Sequence, residues 1–261
     1  MKVVILCGGK GTRLREETEY RPKPMVPIGN RPILWHIMKI YASHGFTDFV
    51  LCLGYKGDVI KDFFRNYLWM TSDITMKLGR NADATFHTHH DEEDWTVTLA
   101  DTGEDTMTAG RIHKIRRYIG DDKEFCLTYG DGVGSVDITK SIEFHRKHGK
   151  TLTVTAVHPP GRFGEMGVNK SGLVEQFNEK PQVTEGRING GFFVANREIF
   201  NDLENCETVM FEQQPVRNLT KEGQVMAFNH DGFWQPMDTF SEYNLLNKLW
   251  ADGKAPWKTW K

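Results

Sequence analysis

Val3-Val4-Ile5-Leu6-Cys7-Gly8-Gly9-Lys10-Gly11-Thr12-Arg13 opens the chain and decides its fold. Five consecutive apolar residues leave no polar face for water, the pattern of a strand covered on both sides, as in a parallel sheet. The run stops at Gly8. Glycines at 8, 9 and 11 let the backbone reach φ > 0 and approach a ligand closely, and successive N–H groups in such a loop make a concave anion site. Lys10 and Arg13 add positive charge, and the Arg13 fork can grip a phosphate twice. Two common phosphate loops do not fit. The spacing G-x-x-x-x-G-K-[ST] is absent, and Leu14 stands where G-x-G-x-x-G needs its third glycine. A plain tight turn is the alternative reading.

Working outward, apolar side chains at Ile33, Leu34, Ile37, Met38, Ile40 and Tyr41 predict a helix over 33–43, with Pro32 suited to its first turn. Phe49-Val50-Leu51-Cys52-Leu53 reads as a second buried strand, followed by a helix over about 57–69. Phe125-Cys126-Leu127-Thr128-Tyr129 reads as a third, closed by Gly130-Asp131-Gly132, and a helix spans 138–148. This alternation is the signature of an α/β fold. Residues 80–105, rich in His, Asp and Thr, predict an irregular or β-hairpin insertion that includes Thr96-Val97-Thr98-Leu99; Ile112, Ile115 and Ile119 then mark a helix. From 151 onward the texture is β-rich, with strands at 152–157, 173–178 and 188–195 and closing helices near 212–221 and 241–250. The expectation is one domain over 1–261, with a nucleotide-binding part of about 1–135 and a sugar-binding, oligomer-contact part of about 136–261. The tail Pro256-Trp257-Lys258-Thr259-Trp260-Lys261 reads either as a docking arm or as a plain end.

Composition removes several classes of function. The chain has 261 residues, 39% hydrophobic and 26% charged, which is ordinary globular texture. A net charge of −2 with no basic half speaks against a nucleic-acid partner. The cluster Arg111, Lys114, Arg116, Arg117 reads equally as a solvated helix face or a ligand site. Four cysteines lack Cys-x-x-Cys spacing, so no zinc site is expected. Cys7, Cys52 and Cys126 sit in strand-like runs as small hydrophobes. With no leader and no 18-residue apolar stretch, a reduced, cytoplasmic protein without a membrane segment is expected.

Arg21-Pro22-Lys23-Pro24-Met25-Val26-Pro27 holds one lysine between prolines that fix an extended path. Such a mount suits a lysine that must meet a phosphate with little entropy loss, although alone a surface loop is the simpler reading. Asp131 ends a buried strand, where ligands of α/β sheets bind and where a divalent ion accompanying a triphosphate needs a carboxylate. An Asp-Gly turn explains it as well. Asp238, in Trp234-Gln235-Pro236-Met237-Asp238-Thr239, reads as the cap or neighbour of the last helix. Glu179-Lys180-Pro181 and Asn189-Gly190-Gly191 offer groups for sugar hydroxyls and a sugar phosphate, or are surface turns.

Together, the glycine loop with Thr12-Arg13, then Lys23-Pro24-Met25, Asp131, the W-x-x-x-D-T stretch, E-K-P and N-[AG]-G resemble the sugar-nucleotide pyrophosphorylases almost end to end. The resemblance implies a Rossmann-like mixed, mostly parallel sheet flanked by helices, of the nucleotide-diphospho-sugar transferase type, with a β-rich sugar-binding second half. It implies that Leu6, Cys7, Gly8, Gly9, Lys10, Gly11, Thr12, Arg13 and Lys23 seat the nucleotide. Arg13, Lys23 and Asp131 then carry catalysis, and Asp131 and Asp238 hold Mg²⁺. Glu179, Lys180, Asn189, Gly190 and Gly191 meet the sugar phosphate, and Pro159-Pro160-Gly161-Arg162-Phe163-Gly164 with Gly167 cover the hexose. His89-His90, Trp95 to Leu99, Asp101-Thr102-Gly103 and Thr106-Met107-Thr108-Ala109-Gly110-Arg111 resemble the branch that makes CDP-glucose from CTP and glucose 1-phosphate, for deoxysugars of surface polysaccharide such as lipopolysaccharide O-antigen. In that branch Thr106 and Gly110 lie at the nucleotide, and the enzyme is a homo-oligomer, a hexamer. Ala109, Pro236, Gln213-Gln214-Pro215 and the run 165–170 depart from the pattern and leave a sister enzyme with another sugar phosphate open. A UTP- or dTTP-using transferase, a non-catalytic sugar-nucleotide sensor and a dinucleotide oxidoreductase are the rival readings.

Overall fold

Seven stretches of the chain pair into one sheet: β1 (Val3–Leu6), β2 (Asp48–Leu53), β3 (Thr96–Asp101), β4 (Glu124–Tyr129), β5 (Leu152–Val157), β6 (Ile188–Asn196) and β7 (Val225–His230). They belong to a computed structural model that describes residues 1–12, 14–79, 83–87, 92, 94–161, 165–168, 171, 173–178, 186–204 and 206–260. The strand order is β7-β5-β6-β4-β1-β2-β3. Every pairing is parallel except those of β6, which runs antiparallel to both β4 and β5. The sheet is therefore mixed and mostly parallel, as expected.

The apolar runs of β1 and β2 are explained by helices on both faces. Val3, Ile5, Phe49 and Leu51 pack with Ile33, Leu34, Ile37 and Tyr41 of helix α1 (Ile33–Ala42). Val4, Leu6, Val50 and Cys52 face the other way, against Ala109 and Ile112 of helix α2 (Thr108–Lys114) and against Phe200 and Leu219. Helix α3 (Ile138–His148) has the predicted bounds: the Asp137 side chain accepts from Lys140 N, and Gly149 closes it with φ 64°. The last helix, α4 (Phe240–Ala251), opens with a capping box in which Thr239 and Glu242 each bond the other's backbone.

Three expectations change. Thr96 to Leu99 is not part of an insertion; it is β3, paired parallel with β2 from Asp48↔Thr96 to Leu53↔Asp101. As the edge strand it is only half covered, which is why it alternates instead of running apolar. The hairpin lies earlier, between Ile74–Met76 and Ala84–Phe86. The helix expected over 57–69 breaks at Asn66 into Gly57–Arg65 and Tyr67–Thr71. The tail is no arm: Trp257 is fully buried, stacked on Phe233 at 5.7 Å and Trp250 at 6.4 Å.

The chain steps outward from β1 to β2 to β3, then returns to the other side of β1 as β4. At such a reversal the connections leave in opposite directions and open a crevice beyond the strand ends. All four cysteines are free thiols. Among the described residues no helix is long and apolar enough to cross a membrane.

Candidate functional site

A cleft of about 580 Å³ occupies that crevice, lined by Leu6 to Thr12 after β1, by Tyr129 to Asp131 after β4, and by Lys23 and Thr106. The rigid mount for Lys23 is present. Pro22 is extended (φ −69°, ψ 151°), and Lys23–Met25 forms one tight turn. Lys23 is buried; its Nζ donates to Asp131 Oδ2 at 2.7 Å and also to Asp238 Oδ1. Burial opposes its charge, but the carboxylates of Asp131 and Asp238 outweigh that and raise its pKa.

Asp131 and Asp238 meet because the chain zips them together. Trp234–Pro236 pairs antiparallel with Gly132–Gly134, and Met237 N donates to Asp131 O at 2.8 Å. Glu242 of the capping box also accepts from Asp238 N, at 2.8 Å. Asp238 is therefore the neighbour of the helix cap, which is Thr239.

Asn189, Gly190 and Gly191 begin β6 beside this group. Asn189 Oδ1 accepts from Gly191 N at 2.8 Å, and its Nδ2 donates to the Tyr129 hydroxyl at 3.4 Å. Gly191 has φ +76°, and a Cβ there would lie 2.5 Å from the Tyr129 ring, so the backbone passes over the ring only because no side chain stands there. Trp234 Nε1 donates to Gly190 O at 2.7 Å. The three residues thus adjoin the cleft through Tyr129 and do not line it.

Lys10 reaches Asp105 at 3.0 Å on the cleft wall. Thr106 lines the cleft; Gly110 does not. A Cβ on Gly110 would lie 2.6 Å from Glu207 Cα, so its smallness admits the passing chain. Arg13, Glu179, Lys180, His89-His90, Arg162-Phe163-Gly164, Asn169 and Lys170 lie outside the described residues.

Arg111 is the residue that sequence reasoning left undecided. Its neighbours Arg116 and Arg117 are exposed, but Arg111 is buried. Nη1 donates to Leu53 O (3.0 Å), Gly103 O (2.8 Å) and Thr102 Oγ1 (2.8 Å). Nη2 donates to Gly8 O and Glu104 O, both at 3.0 Å. One guanidinium therefore ties together the end of β2 and the chain just beyond β1 and β3. A Cβ on Gly8 would lie 2.2 Å from Arg111 Cζ, so this glycine is fixed by the arginine beneath it. Only the apolar Ala109 and Ile112 flanking it hinted that position 111 faces inward.

A glycine loop, a buried lysine and two converging carboxylates can bind and polarise a phosphate chain, and among the described residues no histidine lines the cleft. Fold and site are those of a nucleotide-handling α/β enzyme, and residues 2–252 match the nucleotidyl transferase family model; the chain belongs to that family. It is 51% identical, over the whole of both chains, to the glucose-1-phosphate cytidylyltransferase of Salmonella typhimurium. It is 42% identical, again over both full lengths, to the probable glucose-1-phosphate cytidylyltransferase of Bacillus subtilis. The crystal structure of HddC from Yersinia pseudotuberculosis has the same fold, with a TM-score of 0.69 at 24% identity over 95% of this chain and 99% of that one.

Proposed function

We propose that the chain transfers the cytidylyl group of CTP to α-D-glucose 1-phosphate, giving CDP-glucose and pyrophosphate. The full-length likeness to cytidylyltransferases supports the substrates. The meeting of Lys23, Asp131 and Asp238 at the end of β4, beside the glycine loop, is the observation that carries the chemistry.

A phosphate oxygen of glucose 1-phosphate attacks the α-phosphorus of CTP in line; the bond from that phosphorus to the bridging oxygen breaks and pyrophosphate leaves. The nucleophile needs no base, because a phosphate monoester with a second pKa of about 6 is already largely dianionic at neutral pH. Catalysis is then positioning and charge stabilisation. Gly8 to Thr12 seat the nucleotide, with Leu6, Cys7 and Thr106 beside it. Lys23 turns its ammonium from the carboxylates to the α-phosphate, Arg13 stabilises the leaving pyrophosphate, and Glu179, Lys180, Asn189, Gly190 and Gly191 hold the sugar phosphate.

Asp131 and Asp238 fit Mg²⁺. They present two hard oxygen donors at one point, and no group of three or more His, Cys, Asp or Glu side chains able to hold a metal exists among the described residues. Mg²⁺ suits a sparse site because it completes its shell with phosphate oxygens and water, and when bound it neutralises charge on the triphosphate. The reading also includes a nucleotide-binding part of about 1–135, a sugar-binding part of about 136–261, a cytoplasmic location and assembly into a homo-oligomer, a hexamer.

Pyrophosphate release is measured with glucose 1-phosphate and Mg²⁺ and one of CTP, UTP, dTTP, ATP or GTP per reaction. Release with CTP alone is expected. Release with another nucleotide instead keeps the reaction and overturns the base; no release with any overturns the enzyme reading for this sugar phosphate.

A further inference from the structure

The segment 206–212 runs beside the start of α2. Met107 N donates to Glu207 O at 2.7 Å and Ala109 N to Val209 O at 3.2 Å. Phe211 N donates to Thr108 Oγ1 at 2.7 Å, and the Phe211 ring is fully buried. Glu212 is thereby held against the cleft from behind. Its Oε2 accepts from Thr108 Oγ1 at 3.2 Å, and its Oε1 accepts from the Tyr129 hydroxyl. The Tyr129 oxygen in turn accepts from Asn189 Nδ2 at 3.4 Å. Thr108 and Tyr129 both line the cleft.

The proton bookkeeping fixes every rotor in this chain. Each hydroxyl has one proton, and both protons point at Glu212, so each hydroxyl oxygen is left to accept: Thr108 from Phe211 N, Tyr129 from Asn189. An ionised carboxylate is the one side chain of this size that accepts at both ends, and bonds to a charged acceptor are roughly twice as strong as neutral ones. Burial, and then the Glu212 carboxylate, push the Tyr129 phenol's pKa well up, so it stays a donor throughout the neutral range.

We propose that Glu212 is a positioning residue that fixes the Thr106–Thr108 wall of the cleft and the Tyr129 wall, with Asn189 behind it, relative to each other, so that its loss weakens CTP and the sugar phosphate together. The proposal rests on the nucleotidyltransferase reading above. It adds that the two substrate walls are registered through a carboxylate that touches neither substrate.

The test measures KM and kcat for both substrates, with the unfolding midpoint, on wild type, Glu212→Ala, Glu212→Gln, Thr108→Val and Tyr129→Phe. Glu212→Ala is expected to raise both KM values about tenfold while kcat changes far less, the scale of losing charge-assisted bonds. Thr108→Val, which cuts one arm, raises the KM for CTP, and Tyr129→Phe raises that for glucose 1-phosphate. Glu212→Gln can accept at only one end, so one KM recovers and the other does not. A lowered midpoint in Glu212→Ala with both KM values at their wild-type level means a structural role and overturns the proposal. If the wild type itself gives no turnover, the activity reading has failed, and the relay is judged by ultraviolet titration of tyrosinate. One tyrosine then ionises at lower pH in Glu212→Ala than in wild type, and identical titrations overturn the relay.

Discussion

At the scale of the residue, the site is a small set of charges whose balance can be disturbed one group at a time. Lys23→Ala leaves Asp131 and Asp238 facing each other without their shared cation. Pyrophosphate release is expected to fall on the order of 100-fold or more, as for loss of a preorganised donor; the same holds for Asp131→Asn. Near-wild-type turnover in either variant removes that residue from the chemistry. Gly191→Ala forces a Cβ onto the Tyr129 ring at φ +76°. A strained residue of this kind costs on the order of 1–3 kcal/mol, readable as a lowered unfolding midpoint with the KM for the sugar phosphate raised. The stiff path around Lys23 and the turn after β1 were legible from prolines around a lysine and glycines after a strand, but alone each also read as a plain loop or turn, and only the two together pointed to a phosphate site. Arg111 was not legible. Its spacing gives a helix face, but nothing local says that five acceptors from three strand ends converge there. Tyr129 and Glu212 were invisible for the same reason: their partners lie 60 and 83 residues from Tyr129 along the chain.

At the scale of the element, the cap of α4 and the ribbon beside it do the positioning. Thr239 caps the helix and Glu242 answers by accepting from Thr239 N and Asp238 N. Thr239→Ala is expected to cost about 1 kcal/mol of stability, while Glu242→Ala, which frees the Asp238 backbone, lowers turnover at saturating substrate with little change in thermal midpoint. An unchanged kcat in Glu242→Ala means that Pro236 and Met237 hold Asp238 unaided. The strands buried on both faces were legible as apolar runs and the capped helix α3 to the residue. β3 was misplaced because a half-covered edge strand alternates like a hairpin arm, and the partner that decides between the two, β2, lies 48 positions earlier in register.

At the scale of the whole molecule, the C-terminal tail closes over the first long helix. His36 lies at the centre of that contact, fully buried. Its Nε2 bonds Ile28 O at 3.0 Å and its Nδ1 faces Trp257 Nε1 at 3.4 Å. A carbonyl can only accept and an indole N–H can only donate, so the ring is the neutral Nε2–H tautomer. Burial lowers its pKa from 6.5 to about 4. The unfolded chain therefore takes up a proton near pH 6.5 that the folded chain refuses until about pH 4. Stability falls across that window as pH drops, by about 3 kcal/mol in all, and levels off below it. Unfolding measured from pH 7 to 4 should follow this slope, and Trp257→Ala, at about 3–5 kcal/mol for the cavity, should flatten it by letting water reach the ring; an equally steep slope in that variant assigns the effect to other groups. Leu68, Trp69, Met70, Met76 and Leu78 are exposed around the 74–86 hairpin, an apolar patch suited to contacts between copies. For the homo-oligomer proposed above, Trp69→Glu is expected to lower the molar mass seen by light scattering, and an unchanged mass places the contact elsewhere.

The ribbon that joins 132–134 to 234–236 also sets a schedule. Asp131 and Asp238 are separated by most of the second half of the chain, so the reaction centre is a contact of long loop closure, formed late when such closures dominate folding time. During refolding from denaturant, helical signal from α1 and α3 should return first and turnover only after residues 234–238 have docked. Regained turnover is then a clock for the completion of folding.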